Sequence, residues 1–342
     1  MSNQNDQGKE RYNSLNVVRT LGCIVILMFH VMVNENYNLK NDFVVILGFT
    51  AVCLMYFFMT ISAFGLCSGY MEKILNGTIN LQEFYRKRIL KILPFFTFMV
   101  IIDLVSGFNI NKLYEAFADI TLLFGLFPNE ITVIGIGWFV GIIFAFYIMF
   151  PFYCVITANR VRTWITLTVS IILNYLCRYY FNTGSHNIIY CLCFFVAGTL
   201  IYHYREEILK SGVLVFLICI AIISVSGLLS RSYGDDTLLL LIIIGAAMTI
   251  AISSWGQHIK GRVFDFIGSI SYEIYLCHTA VFRMVEKMGL HYKLGNGVLG
   301  YLSTCLITLM GAIAFSYVMA KVISLSLEKM RLRLHQKEQK EN

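Results

Sequence analysis

"FVVILGFTAVCLMYFFMTISAFGL", residues 43–66, runs for 24 residues without a charge. About 20 apolar residues on a helix cross the hydrocarbon core of a bilayer. A second block, "LLLLIIIGAAMTIAISSW" (238–255), has the same character. The whole chain is 58% hydrophobic and 14% charged, against roughly 45–50% and about 25% in soluble domains. The excess sits in long blocks, so the chain reads as an all-α, polytopic membrane bundle. The first 14 residues are polar and lack an A-x-A-like cleavage site, so the first apolar segment is expected to stay as a helix.

Working outward from 43–66 gives about ten apolar spans. They are 15–33, 43–67, 92–108, 136–157, 163–180, 187–203, 213–229, 237–255, 266–283 and 297–320. Residues 112–127 form a further amphipathic stretch suited to an interface. Ten spans put both termini on one side. With the termini inside, the inner segments hold nineteen Lys and Arg and the outer loops five. That asymmetry favours N-in, C-in. The expected organisation is a polar cytoplasmic segment (1–14), a transmembrane domain (15–320) and a basic cytoplasmic tail (321–342) that starts helical and frays. The ten cysteines sit mostly singly in apolar runs and read as small buried hydrophobes. No metal site is indicated, and nothing points to nucleic acid.

Within the spans, a few ionisable groups stand out. "RTLGCIVILMFH" (19–30) carries Arg19 and His30 eleven positions apart. On a helix this is about three turns, so they share a face roughly 16 Å apart, with Cys23 and Ile26 between them. Arg19 alone could snorkel, and His30 alone could bond a neighbouring helix. Together they suit a pathway or site, because imidazole exchanges a proton near neutral pH and a guanidinium holds phosphate or polarises a carbonyl. "EFYRKRILKILP" (83–94) places Arg86, Lys87, Arg88 and Lys91 at the cytoplasmic entrance of the third span. They read as positive-inside topology or as a phosphate clamp. "FDFIGSISYEIYLCHTAVF" (264–282) brings Tyr275, His278 and Glu273 into a polar span, with Glu273 a candidate orienter for His278. Ser62 lies among small residues that end the second span. Trp138, before Tyr147 and Pro151, reads as an outer interfacial aromatic. Asp103 is a further candidate that water at the outer interface would satisfy.

These motifs, in this order, resemble the acyltransferase-3 family of integral membrane acyltransferases over about residues 11–325. The set comprises Arg19 with His30, "FFMTISAF", Arg86 with Arg88 before "ILKILP", "WF…FYIMFP" and "ISYEIYLCH". The resemblance implies transfer of an acyl group, commonly acetyl, from cytosolic acyl-CoA to a carbohydrate or glycolipid hydroxyl. Acyl-CoA (acetyl-CoA in the simplest case) would be a co-substrate, with no bound cofactor. It implies that His30 is catalytic, and that Arg19 and the Arg86/Arg88 loop, with Lys87 and Lys91, serve the donor. Location in a bacterial cytoplasmic (plasma) membrane follows. The chain departs from the family at Asn16, where many members have aspartate, at Ala63 in place of glycine, and in the acid-free "GIIFAF" of the fourth span. His30 is expected as general base, with an acyl-histidine intermediate as the alternative. Rival readings are a transporter or flippase for a glycan or small anionic solute, and a structural membrane protein or sensor. Consumption of acyl-CoA in detergent would discriminate. Acceptor, acyl chain and oligomeric state are not specified by the residues.

Overall fold

The computed structural model describes residues 12, 14–121, 135–289 and 293–341. Among these the chain is helical throughout, with no strand. Its long helices are α1 (Ser14–Asn34), α2 (Asn41–Leu66), α4 (Leu81–Ser106), α6 (Gly137–Ile156), α7 (Arg160–Tyr179), α8 (Ile188–His203), α10 (Val213–Tyr233), α11 (Thr237–Ile252), α13 (Ser271–Lys287) and α14 (Val298–Glu341). Short pieces α3 (Glu72–Leu75), α5 (Ile110–Thr121), α9 (Arg205–Leu209) and α12 (Arg262–Ser269) join them.

Six helical stretches among the described residues are long and apolar enough to cross a membrane: α1, α2 with its continuation to Leu75, α4, α6, α10 and α14. α8 and α11 are apolar but only 16 residues long, about 24 Å. The chain is therefore a multi-pass membrane protein. The expected span 163–180 becomes α7, whose inward face is polar: Thr163, Ser170 and Asn174 are fully buried. Thr237 Oγ1 donates to Asn174 Oδ1 over 2.6 Å, and Asn174 Nδ2 donates to the Tyr190 carbonyl over 2.7 Å.

Three sequence expectations change. The span at 266–283 is two helices, α12 and α13, broken at Ile270, where φ is −109° and ψ 17°. The break lets α12 dock on α1 through Gly268, whose missing side chain leaves room for Asn16; an added Cβ would lie 2.8 Å from the Asn16 Cβ. The second span does not end near residue 67: a single π-turn (Cys67–Met71) carries it into α3. The tail does not fray early, because the α14 backbone stays helical to Glu341. The amphipathic stretch at 112–127 is helical as far as Thr121; its remainder, and residues 1–11 of the amino-terminal segment, lie outside the described residues.

Local chemistry sets the helix ends. Asn80, Asn159, Asn187 and Asp236 each accept a bond from a backbone N–H in the first turn of α4, α7, α8 and α11, which satisfies donors that have no intrahelical partner. The core is aromatic. Phe146 stacks on Phe195, and Tyr56 on Phe194 with 4.0 Å between ring centroids. α2 and α8 meet so closely at Gly198 that a methyl there would run into the Thr60 carbonyl. All ten cysteines are buried thiols. Asp103, near the end of α4, is satisfied by protein groups: Lys112 of α5 at 3.3 Å and Arg283 of α13 at 3.1 Å. At another loop Arg160 bonds Glu207 and holds its carboxyl below the usual carboxylate range.

Candidate active site

Two connected cavities run into the bundle. The outer one is about 800 Å³ and is lined from α1, α2, α3, the π-turn, α4, α6, α8 and α9. The inner one is about 330 Å³ and shares a wall with it at Arg19, Ser62, Lys91 and Tyr147. A π-turn shifts the face a helix presents and recurs at functional sites. Here it brings Ser68, Gly69 and Tyr70 to the outer wall.

The outer cavity is cationic. Arg19, Lys73, Arg88, Lys91 and Arg205 line it, against the acids Glu72 and Glu206. Arg88 is the best-held cation. Its Nη2 donates to the Tyr70 hydroxyl over 2.7 Å, and its guanidinium lies 4.8 Å from the Tyr70 ring centroid and 5.6 Å from that of Tyr147. Aromatic faces attract a desolvated cation and leave the rest of its planar fork free to bind an anion. Of the cluster expected at 86–91, Arg88 and Lys91 line these cavities, and Arg86 and Lys87 line neither of the two. Arg86 is exposed, and Lys87 pairs with Glu83 at 2.6 Å on the outside of the helix.

The inner cavity is narrower and rich in hydroxyls. Tyr272 and Tyr275 donate their hydroxyls to the carbonyls of Ile92 and Ile136, each over 2.9 Å, so their rings are fixed as walls. Glu273 also lines it, with a buried Oε2 that has no partner among the described residues. Glu273 does not orient His278. That imidazole donates Nδ1–H to the Tyr275 carbonyl over 2.6 Å, three residues back on its own helix. A carbonyl only accepts, so in the neutral ring the bare nitrogen is Nε2, which is buried and unpartnered.

His30 and His278 form a pair 5.1 Å apart between ring centroids. Neither lines either of these two cavities. Phe139 and Tyr275 line the inner cavity, and the Tyr275 ring lies 5.9 Å from that of His278. Tyr275 thus links the wall of the inner cavity to the histidine pair. Cys23 and Ile26, between Arg19 and His30, are buried. Trp138 packs its ring 4.4 Å from that of His186.

Lys73, Arg205 and Tyr70 were not singled out by sequence reasoning. The two cations look like topogenic charges in the sequence, and only the π-turn and α9 bring them to the outer wall. Asp265 was also missed. It accepts from Asn16 Nδ2 over 2.8 Å, and Asn16 Oδ1 accepts from Arg19 Nη1 over 3.1 Å.

The fold and its cavities define a class: a helical, multi-pass membrane protein with a polar chamber inside the bundle, entered past a cationic rim. The acyltransferase-3 family model, an acyltransferase domain, matches residues 12–317. The chain belongs to that family and is a membrane acyltransferase. No curated protein and no solved structure matches it.

Proposed function

We propose that the protein moves an acyl group, acetyl in the simplest case, from cytosolic acyl-CoA to a hydroxyl of a carbohydrate or glycolipid at the outer side of the plasma membrane, with both termini cytoplasmic. One observation carries the reading: a larger cavity lined by five cationic side chains adjoins a smaller one whose wall residue Tyr275 lies 5.9 Å from His278 of the histidine pair. Acyl-CoA has the matching shape, an anionic nucleotide at one end and a thioester on a thin arm. Arg88, Lys91 and Lys73 would take the phosphates, and Arg19 would receive the arm where the two cavities join.

His30 then serves as general base. It takes the proton of the acceptor hydroxyl, the oxygen forms a bond to the thioester carbon, and the C–S bond breaks to release CoA thiolate. His278, with its Nε2 bare, is placed to hold the partner imidazole or to receive its proton. The Tyr275 ring lines the inner cavity and lies 5.9 Å from that of His278, so the thioester would pass its edge before reaching His30.

The test uses purified protein in detergent with acetyl-CoA and an oligosaccharide acceptor. The readouts are free thiol release and the acylated acceptor by mass spectrometry. Acceptor-dependent release is expected, and it should fall at least about 100-fold in His30→Ala, the lower end of what general-base catalysis supplies. Near-normal turnover in that variant removes His30 as base. Folded wild-type protein that consumes no acyl-CoA removes the donor.

A further inference from the structure

We infer that Asp265 is a positioning residue for Arg19, acting through Asn16. The inference rests on the reading of Arg19 as a donor-binding group. Arg19 lines both cavities at their junction, so its guanidinium is a cation inside the bundle. Among the described residues no carboxylate pairs with it directly. Glu273 shares the inner cavity but makes no ion pair with Arg19. The nearest bonded route to a negative charge is a relay, in which Arg19 Nη1 donates to Asn16 Oδ1 (3.1 Å) and Asn16 Nδ2 donates to Asp265 Oδ1 (2.8 Å).

The amide is suited to this work. Its oxygen accepts while its NH₂ donates, so the carboxylate polarises the amide toward the arginine, and each bond strengthens the other. The two bonds also fix which end of the amide faces which partner. A charged donor and a charged acceptor at either end make both links stronger than neutral ones.

The surrounding packing holds the relay in register. Gly268 sits one helical turn after Asp265, in contact with the Asn16 backbone. The single Thr20 hydroxyl proton is shared between the Phe264 carbonyl, 3.1 Å from Oγ1, and the Asn16 carbonyl, 2.9 Å from it. α12 is thereby clamped to the first turns of α1 on both sides of Asp265. The break at Ile270 allows this, because α12 can turn toward α1 while α13 continues into the bundle. The carboxylate bonded to Asn16 comes from a helix about 250 residues later in the chain.

A relay of this kind can be rewired, which gives a direct test. Asp265→Asn should raise KM for acyl-CoA at least fivefold and change kcat less than twofold, because Arg19 lies about three helical turns from the base at His30. Moving the charge, in the double variant Asn16→Asp with Asp265→Asn, should restore KM to within twofold of wild type. A merely structural role for Asp265 would not produce that rescue. The second readout needs no turnover. In a thermal-unfolding cycle, Asp265→Asn should lower the melting temperature when Arg19 is present and have no effect in an Arg19→Gln background. Additive effects in the cycle, or an unrescued KM, overturn the relay. A wild type that ignores acyl-CoA overturns the donor reading, while the cycle still decides the coupling.

Discussion

Arg86 and Arg88 look equivalent in the sequence, two residues apart in one basic cluster. Two residues on a helix are about 200° apart, so they cannot serve one cavity, and only Arg88 turns inward. Arg88→Gln should raise KM for acyl-CoA about tenfold, the effect of losing roughly 1.4 kcal/mol. Arg86→Gln should leave it within about twofold. Initial-rate kinetics on the two variants check this, and equal effects would refute the assignment. The residue types for the chemistry were legible in the sequence, since charge inside an apolar run is costly and conspicuous. Their neighbours were not. The pairing of His30 with His278 joins helices about 250 residues apart. The bond from His278 to its own Tyr275 carbonyl depends on a rotamer, which no spacing rule gives.

At the scale of the element, two contacts set how the helices meet. Gly198 lets α8 touch α2, where the Thr60 hydroxyl also donates to the Phe194 carbonyl over 2.9 Å. Gly198→Ala should destabilise the protein by about 1–3 kcal/mol, the cost of overpacking, seen as a lower melting temperature in detergent. Asp103 ties three helices together. Its carboxylate is largely buried, but Arg283 is 64% exposed, so solvent screens that arm. Asp103→Asn should cost about 1 kcal/mol, with faster proteolysis of α5 as the local sign. The apolar helices could be read from the sequence because a bilayer demands unbroken runs of them. The break at Ile270 could not. "GSISYEIY" contains no proline, and its only glycine, Gly268, acts by making room for Asn16 in another helix.

For the whole molecule, the class of fold was legible and the chamber was not. Composition and block length are properties of each segment by itself, whereas the cavities are assembled from α1, α2, α4, α6 and the α12–α13 pair, which are scattered along the chain. Orientation can be tested directly. A cysteine added at the carboxyl terminus of a variant lacking native thiols should resist a membrane-impermeant maleimide in intact cells and react after permeabilisation. One introduced in the loop at 182–186 should react in intact cells. The opposite pattern would invert the molecule and place the cationic outer cavity on the wrong side for the proposed cytosolic donor.

Glu72, Lys73 and Glu206 are among the residues that line the outer cavity, and Tyr275 and Phe139 are among those that line the inner one. If acyl-CoA enters and CoA leaves through the outer cavity, the passage has a kinetic signature. On that reading the spent thiol backs out the way its loaded form came in, so the two cannot occupy the passage together. Free CoA should then inhibit competitively against acyl-CoA and be unable to compete with the sugar, making clearance of the tunnel, rather than chemistry at its far end, a natural brake on turnover.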